Sequence, residues 1–152
     1  MLAIFAFTNE DKGTILSRTC KKNFKGVQLL IFQGRQGNWL LFRFNKHGIT
    51  LKTIYENNRI LSNVWDKAPW IKSFLVAHID CPVSHNWKPF IVQSCNEVCR
   101  YLSGVDIGFT INPFHLYKKL LKYDGRRNYT LLRRIAANGK IWERPRPQPR
   151  AK

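Results

Sequence analysis

Cys81 and His85 form a Cys-x3-His pair, and Cys95 and Cys99 follow as Cys-x3-Cys. Two thiols at i and i+4 leave one face of a helix, while Cys81 and His85 sit in a proline-bounded segment that can fold over them. A tetrahedral Cys3His zinc site fits that set. The tight Cys-x2-Cys knuckle is missing, however, and Cys95 and Cys99 equally fit a buried stripe in which cysteine is a small hydrophobe. His78, Asp80 and His85, with Glu97 or Asp106, supply the imidazoles and carboxylates that a divalent metal and an attacking water need for phosphodiester hydrolysis. No P-loop, G-x-S-x-G or H-E-x-x-H pattern accompanies them. Zinc or another divalent metal is the one cofactor these residues suggest, and none is required.

The second chemistry is charge. Lys and Arg number 26 against 9 Asp and Glu, a net charge of +17. The excess is uneven: residues 117–152 hold 12 basic and 2 acidic residues, whereas residues 77–116 are close to neutral at −1. Solubility alone needs a net charge of about 2–8 in magnitude and is served better by acids. A surplus this large repels itself in the compact state, and an anionic partner relieves it. Lys118, Lys119 and Lys122 fall on one face of a predicted helix, Arg126 and Arg127 in the turn after it, and Arg133 and Arg134 on a second predicted helix. Almost no acids interleave, although a helix face built for solubility would use i,i+4 Glu–Lys pairs. The pair resembles in outline a phosphate-clamping helical hairpin. Lys140, Arg144, Arg146 and Arg150 extend the basic run. From Arg144 to Arg150, proline alternates with mostly arginine, which favours an extended arm reaching along phosphates and lacks the PxxP spacing of SH3 ligands. Aromatic residues also stand near basic ones at Phe32, Arg35, Trp39, Phe42, Arg43, Phe44 and Lys46. On a sheet such rings either fill a core or stack unpaired bases. Trp39, at a strand start, is the one expected to be exposed.

These groups need a frame. Apolar runs over 2–7 and 27–32, a Gly-containing turn over 33–38, a return over 39–44 and an alternating run over 49–55 predict an antiparallel β-meander. Beyond residue 60 the spacing turns helical. Ile60, Leu61, Val64 and Trp65 mark one segment, and 70–78 reads as a helix opened by Pro69. Another opens at Pro89 and ends at Gly104, with Cys95, Val98, Cys99 and Leu102 in its stripe. Asn112-Pro113 caps and starts a helix over 114–123, which Asp124-Gly125 ends, and 129–137 reads as the last. Strands followed by helices predict an α+β fold: an N-terminal antiparallel meander, several short helices, and a disordered basic Arg/Pro tail. The predicted boundaries are one compact domain over 1–141 and the tail over 142–152.

At 152 residues, 44% hydrophobic and 13% aromatic, the chain can bury one real core and is not wholly disordered. No apolar run approaches the ~18 residues of a membrane span. Four cysteines are too few for a disulfide scaffold, and the apolar start is cut off by Glu10-Asp11-Lys12, so the expected location is intracellular, cytoplasmic or nuclear. The partner these features imply is nucleic acid, DNA or RNA, held by phosphate contacts from the C-terminal helices and tail. A metal-dependent nuclease acting on DNA or RNA is the alternative, and an acidic protein or an anionic membrane surface follows behind.

Overall fold

Two nearly continuous apolar runs, Leu2–Thr8 (β1) and Ile71–Ile79 (β5), form the centre of the structure. The computed structural model describes residues 1–9, 20–32, 38–45, 48–54, 70–80, 94–105, 107–126, 129–135 and 140–145. β1 pairs antiparallel with β5 on one side and with Gly26–Phe32 (β2) on the other. Trp39–Asn45 (β3) and Gly48–Ile54 (β4) continue outward from β2 as the meander that alternation predicts. Beyond β5 come Tyr129–Ile135 (β6) and Ile141–Glu143 (β7), completing a seven-stranded antiparallel sheet in the order β4-β3-β2-β1-β5-β6-β7. Among the described residues, two helices, Cys95–Ser103 (α1) and Pro113–Tyr123 (α2), lie in sequence between β5 and β6. The fold is α+β.

Both faces of the sheet are buried at its central strands. On one, Phe5, Phe7, Leu29, Leu75 and Ile79 pack with Cys99, Leu116, Tyr117 and Leu120 from the helices. On the other, Ile4, Ala6, Leu30, Trp39, Phe74, Val76 and Ile135 form a second cluster. Full burial of one such side chain stabilises by roughly 1.5–3 kcal/mol, so β1 and β5, contributing to both cores, anchor the domain.

Several sequence expectations require correction. Residues 70–78 form no helix; Ile71, Phe74, Leu75 and His78 have helical spacing, but they belong to β5. A central strand buried on both faces loses the period-2 alternation by which strands are recognised. Residues 129–135 likewise form β6, not the last helix. Leu131 stands opposite Ala77 and Arg133 opposite Val76, so Leu132 is an extra residue on β6. That bulge interrupts alternation and disguises the strand. The helix expected to open at Pro89 begins at Cys95 instead. Ser94 is extended (φ −105°, ψ 153°) and its hydroxyl accepts the Glu97 amide at 3.4 Å, a start signalled by Ser-x-x-Glu. Its end at Gly104, in the left-handed region at φ 68°, is as expected. So is α2, where Asn112 Oδ1 accepts from His115 N at 2.8 Å and Pro113 takes the first turn. The helix expected around Ile60–Trp65 lies outside the described residues. Trp142 and Glu143, assigned to the disordered tail, belong to β7 and continue the sheet.

Candidate nucleic-acid interface

α2 carries no acidic residue, and its buried side is set by Leu116, Tyr117 and Leu120. Helical spacing therefore turns Lys118 and Lys122 outward, and Arg126 follows just past Gly125; all three are exposed. The nearest acid in sequence, Asp124, is fully engaged. Its Oδ1 accepts the Leu131 amide at 2.7 Å, and both carboxylate oxygens accept from Arg144 Nη2 at 2.6 Å. Arg144 Nε donates further to the Leu131 carbonyl at 2.8 Å, and its amide to the bulge carbonyl of Leu132 at 2.9 Å. Glu143 pairs with Arg133 at 2.9 Å. Glu97 pairs with Arg100 at 2.8 Å and Asp80 with His78 at 3.0 Å. Every described carboxylate is thus held by a neighbour, while Lys118, Lys122 and Arg126 have no carboxylate partner among the described residues. Part of the surplus charge of the sequence surfaces here.

The helical hairpin is replaced by a helix beside a strand, and this divides the predicted phosphate set. On β6, Arg133 and Arg134 project to opposite faces. Arg133 meets Glu143 on the far side, whereas Arg134 lies on the side of α2, its guanidinium 5.6 Å from the Tyr117 ring. Lys119 turns back to donate to the carbonyls of Ile107 (3.1 Å) and Phe109 (2.7 Å), clipping the loop before α2. Lys140 is exposed next to β7. Arg144 is a structural clamp. Arg127, Arg146 and Arg150 lie outside the described residues.

Trp39 is corrected outright. It is 5% exposed, packs on Phe32 with ring centroids 5.2 Å apart, and lies in the core opposite the helices. Strand-start position does not decide exposure; cross-strand pairing with Phe32 and Ile54 does. Trp142, which falls in the tail predicted from sequence, is exposed and stands beside Arg134 near the basic surface. A signal was present: Asn138-Gly139 between two apolar segments is a hairpin marker. Lys21, also unassigned from sequence, places its ammonium 4.1 Å from the Phe114 ring, with Lys118 at 5.1 Å. Phe114 continues into a cluster with Phe24, Tyr117 and Phe7, so these cations rest on an aromatic base.

Among the described residues, those proposed for chemistry do not converge. His78 sits on the sheet face of Phe74 and Val76, while Glu97 belongs to α1 on the opposite face. Glu97 is buried and its oxygens are saturated: Oε2 accepts from Arg100 Nε (3.1 Å) and Nη2 (2.8 Å), Oε1 from the Thr110 amide (2.8 Å) and hydroxyl. Asn96 Nδ2 donates to the same Thr110 hydroxyl at 2.8 Å and to its carbonyl. Burial opposes the Glu97 charge, yet the bonds from Arg100 and Thr110 outweigh it and hold the carboxyl below its usual range. Its role is to anchor the loop before α2. His85, Cys81 and Asp106 lie outside the described residues. Cys95 and Cys99 do share a face of α1, but Cys99 is buried with its sulfur 3.9 Å from the Val27 carbonyl. Among the described residues no three potential metal ligands cluster. Cys95 instead neighbours Cys20, whose thiol is pushed up by burial and further by Cys95, against Lys25.

His115, one turn before Lys118 and Lys119, is held below the ordinary imidazole range by burial and then by those two ammonium groups. Tyr129, buried beneath the end of α2, is pushed up by burial and by Asp124. No helix among the described residues is long and apolar enough to cross a membrane. No family model, curated protein or solved structure matches the chain.

Proposed function

We propose that this protein binds nucleic acid through phosphate contacts made by Lys118 and Lys122 of α2, Arg126 after it, and Arg134 on β6. The observation that carries the reading is the separation of roles among charges. Arg100, Arg133 and Arg144 are paired with acids of the fold itself, whereas the α2 cations face solvent without a carboxylate partner among the described residues. Cations arranged in this way exchange condensed counterions for protein contacts, and the released ions drive binding. The Arg/Pro segment after Pro145 supplies a second set of phosphate contacts through Arg146 and Arg150. The surface fixes the strand's path without reading sequence, since phosphate contacts position and base contacts specify. Fluorescence anisotropy with labelled DNA and RNA across a salt series tests the proposal. Affinity should fall steeply with salt; absence of binding at low salt, or a salt-independent affinity, overturns it.

A further inference from the structure

Trp142 is 41% exposed although it belongs to a sheet, and no other ring packs on it among the described residues. Trp142 stands directly opposite Arg134 in the β6–β7 register, so both side chains leave the same face. Arg134 reaches the Tyr117 ring, which identifies that face as the one carrying α2 and its lysines. Three residues make a short edge strand that would fray alone. Here it is fastened on both sides of the sheet. Glu143 holds Arg133 on the far face at 2.9 Å, and Arg144 clamps Asp124 and the Leu131 carbonyl. The result is an indole presented on a fixed strand beside a guanidinium and an exposed cationic helix.

We infer that Trp142 is a stacking platform for an unpaired base, so the partner of this surface is single-stranded nucleic acid. The inference rests on the nucleic-acid reading above and sharpens it. Cations alone bind duplex and single strand alike, because both offer phosphates. An exposed indole adds affinity only where a base can leave its own stack, which a single strand permits and an intact duplex does not. Fixing the strand in advance removes ordering cost at the moment of binding. Arg134 would lie along the stacked base or its phosphate, with Lys118 and Lys122 continuing the backbone track.

The test compares Trp142→Ala and Trp142→Phe with the unaltered protein, using a labelled oligothymidylate, an oligouridylate and a DNA duplex at one fixed salt. Trp142→Ala should lose about 5- to 150-fold in affinity for the single strands, the range for one stacked base, and change duplex binding by no more than about twofold. Trp142→Phe should keep most of the affinity, because a smaller ring still stacks. Trp142→Phe should melt close to the unaltered protein, because a ring still covers most of the same surface, and binding by Trp142→Ala is compared below its own melting transition. Loss of equal size on duplex and single strand, or no loss on either single strand, overturns the stacking role while leaving phosphate binding intact. Failure of the unaltered protein to bind any of the three probes overturns both readings.

Discussion

Replacing Glu97 by alanine separates the fold from the chemistry that the sequence suggested for it. The carboxylate is 5% exposed and accepts from two Arg100 nitrogens and two Thr110 groups. Arg100 is itself buried, at 9% exposure, so Glu97→Ala leaves a guanidinium in the interior without its counter-ion. Breaking a buried pair from one side costs about 3–5 kcal/mol. At roughly 2–4 °C per kcal/mol for a chain of this size, the melting temperature should fall by about 6–20 °C. Removing both partners, as Glu97→Leu with Arg100→Met, should cost less than the single change, because no buried charge is stranded. The pH dependence has a definite sign. The folded-state pKa lies below the unfolded value, so the folded protein binds fewer protons in the window between them and stability rises with pH there. The contribution is complete above about 4.3, the ordinary glutamate value, and is lost as pH falls through the folded value. Glu97→Gln should lack that acid-sensitive component. Calorimetry from neutral to acid pH measures both effects. A Glu97→Ala protein that melts like the unaltered one would refute the structural role. One that keeps its melting and loses divalent-metal-dependent cleavage of DNA or RNA would restore the catalytic alternative.

Trp39→Ala should cost about 3–5 kcal/mol in a denaturant titration and leave the salt dependence of binding unchanged, because the ring fills the second core; lost affinity with unchanged stability would return Trp39 to the binding surface. His115 serves as a reporter of the lysine ridge. A phosphate at Lys118 offsets the repulsion that helps to depress the imidazole, so its pKa, followed by NMR, should rise on binding and affinity should increase as pH falls through that range. An unmoved titration in a saturated complex would place the nucleic acid elsewhere.

The meander and α2 were legible because their signals are local. Alternation and turn residues mark β2, β3 and β4, and Asn112-Pro113 with Asp124-Gly125 bounds α2. β5 was not legible, since burial on both faces erases the pattern that distinguishes a strand from a buried helix. β6 was hidden by one bulged residue, Leu132; as consecutive residues of a strand, Arg133 and Arg134 leave opposite faces, which dissolves the predicted hairpin of basic helices. The candidate site was half readable. Charge counting pointed to the exposed Lys118, Lys122 and Arg126, but residue type did not show that Lys119 and Arg144 turn inward as clamps. Nor did it separate Trp39 from Trp142, because exposure depends on cross-strand neighbours far apart in sequence. Glu97 illustrates the same limit: a scarce acid looks catalytic until its partners Arg100 and Thr110 are seen.

The central claim is that the outward cations of α2 contact phosphates, and the slope of log K against log salt counts those contacts. On a single strand each contact contributes about −0.7, so Lys118→Ala, Lys122→Ala and Arg126→Ala combined should make the slope shallower by about 2. The three side chains are exposed, so melting should stay close to that of the unaltered protein. A shallower slope of that size, with weaker binding and an intact fold, is the predicted result. An unchanged slope would place the phosphates elsewhere and contradict the account.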